Sequence, residues 1–207
     1  MFKLYQQNYH KGIASKFKNV TEESEYYDLV KKFEANTTRV AAYKAYHATK
    51  ELKSLVDSKT FATEAKMVLK KFNRFQAAEY NSVVARSRSA KQFVQFQNEA
   101  DIYPNMEWIT TRSADPREEH LAFVGIVLPI DDPFWSSNQP GDLWNCKCDW
   151  QQTDKPSTGG APKGVTPSVG LEGNPAETGE LITDQHPYFT KASNIDEIEA
   201  FIKKEEE

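Results

Sequence analysis

TFATEAKMVLKKFNRFQAAEYNSVVARSRSAKQFVQFQNEA, residues 60–100, runs without a glycine or a proline. Phe61, Ala65, Val68, Phe72 and Phe75 follow one another at intervals of four and three, which lays a single apolar stripe along a helix. Phe93 and Phe96 resume that stripe. The positions in between are Glu79, Ser82, Arg86 and Ser89, so an apolar face carries a polar island. The stretch is expected to be one long helix or two stacked ones. Upstream, Gly12 is the only glycine and there is no proline before Pro104, so the whole leading region reads as helical. Ser24–Phe33 and Thr38–Val56 are expected as two further helices.

The character changes at Ile102. Pro104, Pro116, Pro129, Pro133 and Pro140 punctuate residues 104–140, and all four tryptophans lie between Trp108 and Trp150. Met106–Thr111 alternates like a short strand, and Phe123–Leu128 reads as a second. Pro116 opens a helical turn that runs to His120. Residues 151–180 then hold six of the nine glycines and four of the ten prolines, the composition of a flexible or extended segment. A final acidic helix is expected from Asn194 to about Lys203. The fold class is therefore α+β: a helical N-terminal region (1–100), a small loop-rich α+β module (101–152), a Gly/Pro-rich linker (153–180) and a C-terminal segment with an acidic helix (181–207).

Composition removes several function classes. Hydrophobic residues make up 39% of the 207, enough for a packed core, and no apolar run is long enough to span a membrane. The first residues, MFKLYQQNYHKG, show no secretory signal. Two cysteines cannot form a disulfide scaffold. With Lys+Arg 26 against Asp+Glu 30, net charge is -4, so a uniformly basic nucleic-acid coat is excluded. Local asymmetry remains. Residues 62–92 carry seven basic and two acidic side chains, and residues 171–207 carry three basic and ten acidic ones. The basic set is Lys66, Lys70, Lys71, Arg74, Arg86, Arg88 and Lys91, a candidate nucleic-acid face whose plain alternative is a solvated helix surface. The acidic tail could dock on a partner or shield that helix.

The residue types best suited to chemistry are Asp115, Arg117, His120, Cys146 and Cys148. Two cysteines one residue apart bridge each other poorly, but on a tight turn both thiolates reach one metal ion. With His120 they supply three soft ligands for zinc, with Asp115 or His186 as a fourth. The plain alternative is two buried small hydrophobes beside a hydrogen-bonded histidine. A catalytic alternative makes His120 a general base, oriented by Asp115 or Glu79, with Arg117 or Arg86 facing a phosphate, as in a nuclease. The competing account is a Glu79–Arg86 pair on the helix and a cap by Asp115.

Taken in order, Trp108-Ile-Thr-Thr-Arg-Ser-Ala-Asp115-Pro-Arg-Glu-Glu-His120, Gly125, Asp131-Asp-Pro-Phe-Trp135, Pro140 and Cys146-Lys-Cys148 resemble the phage Mu F-like minor head proteins of the phage head-morphogenesis family. Lys147 stands where that family usually has arginine. Ala78–Arg88 is similar to the helix that precedes its motif. The resemblance implies a minor virion component acting in head assembly beside the portal or other capsid proteins, in some members associated with DNA. It implies neither an established catalytic activity nor a small-molecule substrate, and it places the protein in the virion or, during assembly, in the host cytoplasm.

Overall fold

The apolar spacing of the leading region is built into three long helices. A computed structural model of the protein describes residues 1–111, 113 and 118–206. Helix α1 spans Phe2–Ala14, α2 Tyr27–Lys53 and α3 Phe61–Asn98. In α1 the buried positions are Phe2, Tyr5, Tyr9, Gly12 and Ile13, a three-and-four spacing that seats it on α2 and α3. The two helices expected over 24–33 and 38–56 are one. Asn36, Thr37 and Thr38 are weak helix formers, but their side chains are used. Asn36 accepts from the Leu181 and Ile182 amides and donates to the Ile182 carbonyl, and Thr37 donates back to Phe33. Tertiary contacts thus override local preference.

Helix α3 is continuous, as one of the two expectations had it. Its stripe is only partly covered: Phe72 is buried, whereas Phe61 and Phe75 are 41% and 44% exposed. The first turns of α3 therefore extend past the helices that cover the rest. Beyond α3 the chain folds into a three-stranded antiparallel sheet of order β2-β1-β3, with β1 Asn105–Ile109, β2 Val127–Pro129 and β3 Asp149–Thr153. Alternation in β1 buries Met106 and Trp108. Short helices α4 (Glu118–Leu121) and α5 (Phe134–Ser137) lie in the loops between the strands. Phe93, Met106, Trp108, Phe123, Leu128, Phe134, Trp135, Cys146, Cys148 and Trp150 close one core, separate from that of the helical layer. The two expected strands are shorter than their sequence patterns, the expected helical turn is described from Glu118 and runs to Leu121, and β3 is not among the expected elements.

The glycine- and proline-rich stretch has two characters. Residues 154–169 carry no regular structure and are mostly exposed. From Gly170 the chain is packed: Leu171 and Asn174 are buried, α6 (Pro175–Thr178) lies on α3, and Leu181 and Ile182 enter the helical core. Helices α7 (Pro187–Thr190) and α8 (Ile195–Glu206) cover α2. The acidic α8 does not shield the basic face of α3. Glu199 pairs with Arg39 and accepts from Tyr43, Glu205 pairs with Lys3, and Phe201 meets Phe2 edge-on.

Candidate metal centre

Two serines of the polar island, Ser82 and Ser89, help to seat the loop that carries both cysteines on α3. Ser89 donates to the Pro140 carbonyl, and Ser82 accepts from the Asn145 amide. Arg88 donates to the Cys148 carbonyl at 2.8 Å and lies 3.5 Å from Asp149, while Gln92 donates to Asp149. Gly141 rests directly on the helix, where a Cβ would meet Arg86 Cγ at 2.9 Å; its φ of +108° is also one that glycine adopts freely. An apolar residue at position 89 would leave the buried Pro140 carbonyl without this partner.

That loop turns back beneath α4. His120 Nδ1 lies 3.3 Å from Cys148 Sγ and 3.4 Å from Cys146 Sγ, and the Cys148 amide donates to Cys146 Sγ. Among the described residues, the His120, Cys146 and Cys148 ligand atoms form a group within 4.8 Å of one another. All three side chains are buried: His120 is 1% exposed, Cys148 4% and Cys146 6%. The His120 ring stacks on Phe123 and meets Trp108 edge-on, so aromatic packing fixes its plane. On the other side of the ring, Nε2 lies 2.9 Å from Asp142 Oδ1, and the Asp142 side chain is wholly buried.

The charges around the histidine oppose the effect of its burial. Burial opposes charge on His120, yet the Asp142 carboxylate and Cys146 outweigh it and hold the imidazole up at about 9. The Cys146 thiol is pulled down by the hydrogen bond from Cys148 and then by His120, and Cys148 is pushed up in turn. The thiolate, the form that binds metal, is thereby favoured at Cys146 over Cys148.

Of the sites expected from sequence, His120, Cys146 and Cys148 come together. Asp115 and Arg117 lie outside the described residues. His186 is not a fourth ligand, because it belongs to the helical layer. It caps α7 by accepting from the Tyr188 amide and packs against Trp144 and Tyr188. Glu79 and Arg86 neither pair with each other nor bond to His120. Glu79 holds buried Lys44 at 2.5 Å and accepts from Tyr9 and Tyr188. The Arg86 guanidinium donates to the carbonyls of Leu171, Glu172, Gly173 and Glu180. Of the seven basic residues, Lys66, Lys70, Lys71 and Arg74 are exposed. Arg86 and Arg88 hold backbone, and Lys91 donates to the Lys16 carbonyl beside Phe17 and Tyr26. Asp142 is the residue that sequence reasoning missed. Pro140-Gly-Asp142 reads only as a turn, and nothing in its spacing points to His120, far away in the chain.

The family described as "Phage Mu protein F like protein" matches residues 7–151, which include α3, β1, β2, the first residues of β3 and all three candidate ligands. The chain belongs to that family. It is similar to the putative capsid assembly protein F of Escherichia phage Mu, 32% identical over 72 residues, which is 35% of this chain and 16% of that protein. It is also similar to the Mu-like prophage FluMu F protein of Haemophilus influenzae, 29% identical over 59 residues, 28% of this chain and 14% of that one. The matched stretches are thus about a sixth or less of those two relatives. No solved structure matches the chain.

Proposed function

We propose that the protein is a minor head component that acts in phage capsid assembly, in the virion or in the host cytoplasm while heads are built. Membership of the phage Mu F family across residues 7–151 carries this reading. The phage relative's description as a capsid assembly protein supports it. Its partners are the portal or other capsid proteins. The surface best suited to them is the overhanging part of α3, where Met67, Leu69 and Phe75 are exposed among Lys66, Lys70, Lys71 and Arg74. The same cations suit DNA, Lys71 being paired with Glu51 in the free protein. Among the described residues no helix is long and apolar enough to cross a membrane.

A zinc ion held by His120, Cys146 and Cys148 completes the reading. With all three ligands buried and a fourth position for which the sequence offers Asp115, its task is structural: it ties α4 to the loop that leads into β3. Mass spectrometry of purified particles from an induced host tests the function. Peptides of this chain at a few copies per particle are expected. Their absence from particles, with normal heads forming when the gene is deleted, would overturn it.

A further inference from the structure

A carboxylate is costly to bury, and Asp142 is wholly buried with its Oδ1 facing a histidine nitrogen. Its other oxygen is held too: Oδ2 accepts from the Gln139 amide, and the Asp142 amide donates back to the Gln139 carbonyl. The loop therefore sets this carboxylate in one orientation, and His120 lies at the end of it. The opposite ring nitrogen, Nδ1, faces the two sulfurs at 3.3 and 3.4 Å.

Those separations fit an ion. Zinc–sulfur bonds of about 2.3 Å and zinc–nitrogen bonds of about 2.0–2.1 Å, at a tetrahedral angle, put a ligand nitrogen about 3.5 Å from a ligand sulfur. The two nitrogens of an imidazole point apart, so a group on Nε2 does not share the ion bound at Nδ1. Asp142 is accordingly absent from the group of ligand atoms within 4.8 Å.

We propose that Asp142 is the positioning residue of the zinc site: its carboxylate, 2.9 Å from Nε2, keeps the proton of His120 on that nitrogen, fixes the tautomer, and presents Nδ1 to the ion beside Cys146 and Cys148. This rests on the zinc reading above. A carboxylate behind a ligating histidine fixes the ring and makes the other nitrogen more basic, and losing it typically weakens metal binding about 10- to 100-fold. Asp142 also sits in the loop that Ser89 and Gly141 anchor on α3, so the helix that supports the module orients the ligand through it.

Zinc affinity of the full chain, measured by chelator competition, is compared with that of Asp142→Asn, together with visible spectra of the cobalt-substituted proteins. The wild type is expected to bind one equivalent and, with cobalt, to show thiolate charge-transfer and tetrahedral bands. Asp142→Asn is expected to bind about 10- to 100-fold more weakly, with the charge-transfer band kept and the tetrahedral bands displaced. A wild type that takes up neither metal sinks the zinc reading itself. A wild type that binds, with a variant of equal affinity and unchanged spectrum, sinks the role of Asp142 alone. If the variant does not fold, long-range nitrogen–proton spectra of the zinc-loaded wild type decide. A slowly exchanging proton on His120 Nε2 is expected, and coordination through Nε2 overturns the proposal.

Discussion

Gly141 has no room for a methyl group. A Cβ there would press on Arg86 Cγ at 2.9 Å, in a backbone conformation that side chains rarely adopt. Gly141→Ala should lower stability by at least about 2 kcal/mol in denaturant unfolding; a loss under about 0.5 kcal/mol would mean that the loop is not seated on α3 as described. His186 offers a second measurement at this scale. Burial pushes it down to about 4, and its Nδ1 is used as an acceptor by the Tyr188 amide. The folded-state pKa lies below the unfolded one, so the unfolded chain takes up the proton first as pH falls. Stability is complete above about 6.5 and should decline by up to roughly 3 kcal/mol on the way down to about 4. His186→Asn keeps a capping side chain without the titration. Its stability should therefore change much less over that window, and an equal decline in both proteins would show that other groups are responsible.

At the scale of elements, α3 is where sequence and structure agree most and where they part most usefully. Its period was legible because a long run without breakers leaves little else that it can be. The interruption at Glu79, Ser82, Arg86 and Ser89 was legible as an anomaly but not as a seat, because the backbone groups it serves lie 51 to 94 residues further on. β3 was hidden because Asp149-Trp-Gln-Gln-Thr153 shows too little apolar alternation to stand out, and it is recognisable only by its pairing along β1. The site followed the same rule. His120, Cys146 and Cys148 were chosen by residue chemistry and do meet, whereas Asp142 needed the fold. The basic residues divide in a testable way. Reversing Lys66, Lys70, Lys71 and Arg74 together should weaken DNA binding and flatten its salt dependence by about 0.9 in log–log slope for each phosphate no longer neutralised. Removing the charge at Arg88 should instead loosen the Cys148 loop and register as a loss of stability. Unchanged DNA binding in the fourfold variant would assign that face to a protein partner.

The whole molecule has two cores joined along α3, and the candidate ion lies in only one of them. Chelation should therefore act unevenly. The near-ultraviolet signal of the buried tryptophans should change, since Trp108 lies against His120, while the far-ultraviolet signal of α1, α2 and α3 largely persists. Simultaneous loss of both signals would mean that the two cores unfold as one.

The returning chain after β3 brings a further consequence. Leu171, Leu181, Ile182, Phe189, Ile198 and Ile202 are each at most 9% exposed and fill the helical core, yet all six lie beyond residue 151, where the family match ends. Burying six such side chains contributes on the order of 10 kcal/mol, as much as the entire net stability of a typical domain. The recognisable unit and the foldable unit are therefore different objects: the family signature is written in one part of the chain, and its structural completion is supplied by a part that carries no signature. Expression of residues 1–153 alone should yield an aggregating fragment, and supplying residues 170–206 as a separate chain should bring it back into solution.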